Sequence, residues 1–244
     1  MRPNPGLAFV FSETVAFLRQ AWWLAMVAAL PNLTFYVTGH VPVPWNEAAN
    51  IWIVSAVMAL ANVALTYWII RFIALKHDVS AALEVNPDST RTFLPYAVAA
   101  FSLLCLSVPL ASIVGGWKGI ALRLSPDLLY FCAPWAMTAP SGSVVIGPIR
   151  SLKLVAPHLI WAVGVLVLML LLYALFGVVV GLLGGLLLPT PAMLVLMGSS
   201  AVSAVARAIL EIIWDVSFVA ATYSLALRTG VRVSGVERLH AVFE

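Results

Sequence analysis

The chain has little charge. Only 9% of its 244 residues are Asp, Glu, Lys or Arg, against roughly 25% in an ordinary soluble domain, while 63% are hydrophobic. A water-soluble fold of this composition would lack the polar surface to cover itself, so lipid must cover the rest. Cysteine is scarce too: Cys105 and Cys132 both lie inside apolar stretches with no CxxC spacing, which argues against a disulfide framework and for small buried hydrophobes. His40, His77, His158 and His240 are scattered, with no HExxH and no pair at ligand spacing, so no metal site is expected. There is no glycine-rich phosphate loop. Ser141-Gly142-Ser143 and Gly198-Ser199-Ser200 do not match a Gly-x-Ser-x-Gly elbow, and no histidine sits in a late crossing to act as base; loop flexibility and helix capping explain these serines. The expectation is a protein that is not an enzyme and carries no cofactor. The formal net charge of +3 forms no basic face, because Lys and Arg sit at segment ends, so nucleic acid is not an expected partner.

What the chain has is long apolar runs. A hydrocarbon core about 30 Å thick needs roughly 20 apolar residues per helical crossing, and backbone groups in lipid must be satisfied within the segment. Six crossings are expected, at about 21–39, 49–73, 93–115, 120–140, 158–187 and 201–227, in an all-α polytopic fold forming one integral membrane domain over 1–244. The longest polar connection, 74–92, is too short to bury a core of its own. The first apolar run follows a leader containing Arg2, Glu13 and Arg19 and continues past Tyr36, which fits a crossing better than a cleaved signal. Asn32-Leu-Thr34 is a glycosylation sequon by spelling only, since it lies within that crossing.

Basic residues fall on alternate connections. With the N-terminus in the cytoplasm, that side holds Arg2, Arg19, Arg71, Lys76, Arg91, Arg150, Lys153, Arg228, Arg232 and Arg238, and the other holds only Lys118 and Arg123. This asymmetry puts both termini in the cytoplasm. Trp22, Trp23, Trp45, Trp52, Trp117 and Trp161 lie near the expected interfaces, where amphipathic rings are favoured. The fourth segment is the least regular. Ser125-Pro126-Asp127 reads as a helix start, with Ser as N-cap, Pro at the first position and a carboxylate in the first turn, leaving a short helix that Pro134 would kink. A re-entrant segment is the alternative; it would put Arg150 and Lys153 on the outer side and spoil the charge asymmetry.

Before the first, third and fifth crossings lie mixed segments, Gly6 to Gln20, Val79 to Thr92 and Val144 to Pro157. In the first, Phe9, Val10, Phe17 and Leu18 share one side at helical spacing and Glu13 falls elsewhere, suiting a short amphipathic helix in the headgroup layer. A threefold unit of interfacial helix plus two crossings is one account; the other is that any loop between membrane helices becomes amphipathic.

The run Leu129-Tyr-Phe-Cys-Ala-Pro-Trp-Ala-Met-Thr-Ala139, then Ile146-Gly-Pro-Ile-Arg-Ser-Leu-Lys-Leu154 and a long apolar helix, resembles a bacterial family signature, as does the closing Tyr223-Ser-Leu-Ala-Leu-Arg228. The family is the membrane domain found fused to some glycerophosphodiester phosphodiesterases, with its stand-alone inner-membrane relatives. Arg150, Ser151 and Lys153 fill the family's basic and Ser positions. Pro148 stands where the family usually has Ala, and no acidic residue precedes Gly142. The resemblance implies six crossings and a bacterial inner-membrane location; it implies no activity.

The sixth crossing is not purely apolar. Arg207, Glu211 and Asp215 are four apart, so they form one stripe, with Ser203 a turn earlier. Unpaired at mid-membrane, three charges would cost roughly 8 to 10 kcal/mol on the insertion scale, so the stripe should face the bundle interior. Asn62 and Thr66, four apart on the second crossing, are candidate neighbours. The stripe is either an ion or proton path or ligand cavity, or a buried ion pair that fixes helix rotation. On the fifth crossing Gly177, Gly181 and Gly185 repeat every four, a small-xxx-small pattern suited to close packing on an internal helix or on a second copy. Two function classes follow. The expected one is a structural or accessory component of the envelope or of a larger membrane complex, with lipids, other membrane subunits or itself as partners. The other is a transporter or lipid-handling protein using the polar stripe.

Overall fold

In the computed structural model, the described residues are 6–38, 47–138, 146–187 and 192–231; within them the side chains at 32–38, 47–50, 180–187, 192–204, 206 and 207 are not described. All regular structure among them is helical: α1 (Leu7–Gln20), α2 (Trp22–Thr38), α3 (Glu47–Ala74), α4 (Val79–Leu83), α5 (Pro87–Val114), α6 (Gly116–Arg123), a 3₁₀ helix (Ser125–Cys132), α7 (Ala133–Thr138), α8 (Pro148–Val155), a 3₁₀ turn (Ala156–His158), α9 (Leu159–Leu187) and α10 (Ala192–Arg228). Four stretches are long and apolar enough to cross a membrane: Ile51–Ala74, Pro87–Val114, Pro148–Val179 and Ala208–Arg228. They match the expected second, third, fifth and sixth crossings. The expected first crossing is α2, of which the described apolar part, Trp22–Pro31, is shorter.

The expected fourth crossing is a chain of three short pieces. Gly115 and Gly116 turn the chain at the end of α5 with φ of 64° and 54°, a left-handed conformation that favours glycine. α6 then runs back along α5, so close that a Cβ on Gly119 would lie 2.7 Å from the Ala111 carbonyl oxygen. Sixteen residues later Trp135 meets Tyr96 edge-on at 5.4 Å. The segment therefore runs antiparallel to α5 from Ala111 to Tyr96, as a 3₁₀ helix in its middle. Pro126 and Asp127 do occupy its first turn, but Ser125 caps nothing: its hydroxyl donates back to the Leu122 carbonyl, at 2.7 Å. An eight-residue 3₁₀ run is long for this geometry, whose hydrogen bonds are poorer than those of an α-helix.

The mixed segments also differ in detail from the amphipathic surface helices expected. α1 buries Val10, Thr14 and Phe17 within the protein. Phe9 stacks on Tyr223 at 6.1 Å, and Thr14 lies 3.3 Å from the Ser217 hydroxyl, so α1 runs antiparallel along α10. Glu13 is not on a solvent face; its carboxylate is 12% exposed and lies 2.7 Å from His77 Nε2. The second segment is divided between α4 and the first turns of α5. Asp78 caps α4 by accepting from the Ala81 N–H, and Asn86 caps α5 by accepting from Asp88 and Ser89. The third holds α8, whose apolar and basic residues separate most clearly.

The core is an aromatic layer toward one end of the bundle. Phe17 meets Phe72, and Tyr67, Phe93, Tyr96 and Trp135 form a chain of ring contacts, all buried. Tyr130 and Phe218 extend it to α10. Such contacts add roughly 0.5–1.5 kcal/mol each beyond area burial.

Candidate functional site

Toward the other end of the bundle, helices that touch through aromatics at one level separate around a cavity of about 350 Å³. Its polar lining comes from five elements: Ser55 and Asn62 of α3, Ser107 of α5, Arg123 of α6, Asp127 of the 3₁₀ helix, and Glu211 and Asp215 of α10. Tyr173 of α9 and Trp214 of α10 add two rings, edge to face at 5.2 Å.

The geometry follows from local sequence. Glu211 and Asp215 are one helical turn apart, so both reach the same side of α10, and Trp214 sits between them on that face. Ser107 and Ser55 bond back to the carbonyls of Leu104 and Ile51, at 3.0 and 2.6 Å, which lets hydroxyls sit on apolar helices at small cost. Asp127 reaches the cavity because the chain breaks from α6 into the 3₁₀ helix at that point. Asp215 lies within electrostatic reach of both Glu211 and Asp127. Among the described side chains, Asp127, Glu211 and Asp215 and the Arg123 guanidinium line one low-dielectric cavity, where carboxylates must be balanced by cationic side chains, a bound cation or protons. Among the described residues, no group of three or more His, Cys, Asp and Glu side chains is placed to hold a metal ion.

The sequence-derived stripe is half visible. Glu211 and Asp215 point into the bundle; the side chain of Arg207 lies outside the described residues. Asn62 lines the cavity, whereas Thr66 does not, its hydroxyl donating to the Asn62 carbonyl at 2.8 Å. Arg123 and Asp127 were missed as site residues. Asp127 carried a signal, a carboxylate inside an apolar stretch, but it was read as a helix-start residue. Among the described residues, a Cβ on Gly177 would meet nothing within 4 Å; Gly181 and Gly185 lie outside what is described.

Arg150, Ser151 and Lys153 separate by role. Ser151 is 0% exposed, and its Oγ accepts the Trp135 N–H at 3.1 Å, tying α8 to α7, while Arg150 and Lys153 are exposed. Arg71 was read only as an orientation charge; it donates to the Ala81 and Ala82 carbonyls at 2.8 and 3.2 Å and lies over the Tyr67 ring. Cys105 and Cys132 are free thiols.

The fold and the cavity define a multi-pass, all-helical membrane protein with an acidic chamber among its helices. Comparison of the chain with family models, curated proteins and solved structures finds no match.

Proposed function

We propose that this protein is a transporter of small organic cations, with the acidic cavity as its substrate site. The observation that carries the proposal is the convergence of Asp127, Glu211, Asp215 and Arg123, among the described residues, on a cavity of about 350 Å³. That volume falls within the range of small-ligand sites, about 300–1,000 Å³, and far exceeds a bare metal ion. The Tyr173 and Trp214 rings suit an ammonium group, which is attracted to aromatic faces. A broken segment beside a charged chamber is the arrangement transporters use at mid-membrane, and here the 3₁₀ helix begins at the cavity wall. The aromatic layer on the other side would have to part for a substrate to pass.

In this proposal the chain makes six crossings, with the three-piece segment as the fourth, both termini in the cytoplasm and the cavity in the outer half of a bacterial inner membrane. The ten-to-two distribution of basic residues and the resemblance to the phosphodiesterase-associated membrane family support that placement. The protein catalyses no covalent step.

The test is uptake by proteoliposomes. Putrescine and tetraethylammonium are offered outside, and entrapped pyranine reports proton exchange. Amine-dependent signal above protein-free vesicles, lost in Glu211→Gln and Asp215→Asn, is the expected result. No amine-dependent signal, or one indifferent to both substitutions, would refute it.

A second reading is favoured by α9. Within the chain its partner is chiefly α10, and Leu171, Leu172, Leu175, Phe176 and Val178 are exposed. An accessory subunit would offer such a face to a larger membrane complex or to a second copy. Co-purification of one stoichiometric partner, released by charged substitutions at Leu172 and Phe176, would favour it.

A further inference from the structure

A second concavity lies apart from the acidic chamber, and its chemistry is the opposite. It is a groove of about 460 Å³ between the 3₁₀ helix and the α8–α9 elbow. Leu152, Val155 and Leu159, spaced three and four apart, form one wall, and Leu128, Phe131 and Cys132 form the other. No charged side chain lines it. The apolar face of α8 ends at this groove, while Arg150 and Lys153 on the same helix are exposed.

The length of the α8–α9 unit sets its depth. The span Pro148–Val179 has 32 residues. At 1.5 Å per residue its helical pieces add up to about 48 Å, more than the roughly 30 Å hydrocarbon core can hold, and Arg150 and Lys153 in its first turns favour that end for the headgroup layer. The groove thus begins where an acyl chain begins, and the two cations stand where a lipid phosphate stands. Lys153 and Arg150 are exposed on the first two turns of α8, above the groove and off its lining face, and both have stems long enough to reach round the helix and keep the charge at the interface.

We propose that this groove and the basic side of α8 form a binding site for one anionic phospholipid, with an acyl chain against Leu152, Val155 and Phe131 and its phosphate held by Arg150 and Lys153. The site depends on the protein lying in a membrane and not on the cation-transport proposal. Charge complementarity selects the occupant, because a zwitterionic lipid offers the same chain but no net negative charge. Bound there, the lipid would brace α8 against the 3₁₀ helix, and so against the segment that carries Asp127.

The test uses the full chain in detergent, equilibrated with phosphatidylglycerol and phosphatidylcholine of identical chains, with bound lipid counted by native mass spectrometry. Each cation near an anionic surface is worth about fivefold in binding, so phosphatidylglycerol should be retained roughly tenfold or more over phosphatidylcholine. The exposed double variant R150Q/K153Q should bring the two lipids level. Ala156→Phe, which fills the groove from an exposed position, should reduce retention of phosphatidylglycerol with both cations still present. Equal retention by the unaltered protein, discrimination that survives R150Q/K153Q, or retention unaffected by Ala156→Phe would each overturn the proposal.

Discussion

Ser151→Ala removes one oxygen from a fully enclosed position, and the consequence can be worked from the structure. Trp135 is the third residue of α7, so its N–H belongs to the set at a helix start that the helix itself leaves short of partners. Pro134, just before it, has no N–H to satisfy. Ser151 Oγ accepts from Trp135 at 3.1 Å, and Ser151 is 0% exposed, so water has no access to replace it. Loss of the acceptor leaves a buried donor unsatisfied, a cost of about 1–3 kcal/mol. Equilibrium unfolding in mixed micelles should show that loss, and the Trp135 amide should exchange faster with deuterium. Ser112→Ala is the control: its hydroxyl donates to the Pro109 carbonyl of its own helix at 2.7 Å, so its loss should cost less than about 0.5 kcal/mol. If Ser151→Ala matches the control and Trp135 protection is unchanged, the joint between α7 and α8 does not rest on this bond.

Gly119→Ala would drive a methyl into the Ala111 backbone carbonyl, 2.7 Å away, and should cost about 1–3 kcal/mol, whereas Gly177→Ala meets nothing and should be neutral or stabilising in the same unfolding assay. A double-mutant cycle on Glu13→Gln and His77→Gln should give a coupling of about 0.5–1 kcal/mol, because the 2.7 Å contact is partly exposed on the histidine side; a coupling of zero would remove it as a link between α1 and the α3–α4 turn. The Ala81 N–H and the Ser80 hydroxyl hold the Asp78 carboxyl below its ordinary value of 3.8. A lowered folded value means that the cap's contribution is present above 3.8 and fades as the pH falls through the lowered one. Protection of the Ala81 amide, taken relative to intrinsic exchange at each pH, should therefore fall on acidification below that value in the unaltered protein, and Asp78→Asn should abolish this acid dependence of protection.

Helix placement was legible because length and hydropathy act on each segment alone. α3, α5, α9 and α10 cover the stretches expected as crossings, while the mixed segments are less uniform than expected. The break at Ser125 was only partly legible: Ser, Pro and Asp in succession spell an α-helix start, and nothing in that triplet distinguishes it from the start of a 3₁₀ helix. Glu211 and Asp215 could be placed inward because lipid penalises charge on any other face. Arg123 and Asp127 could not be added to them from spacing, since they lie more than eighty residues away and reach the cavity only once α6 folds back on α5. Asn62 was found and Thr66 was not a partner, because four-residue spacing fixes a face but not which side chain turns to its own backbone. Arg71 and Ser151 bond to carbonyls and amides of other elements, contacts that side-chain patterns do not announce.

The three-piece segment from Gly116 to Thr138 also bears on how the protein is made. A straight apolar helix can enter the bilayer as soon as it is synthesised, but a segment of three short helices with a carboxylate in its middle gains little from lipid alone. Its α7 turn leans on Ser151 and on α10, and α1 likewise lies against α10, the last helix to be translated among the described elements. Assembly of the bundle is therefore a late event, and the stretch that walls the acidic chamber is the one that waits for it.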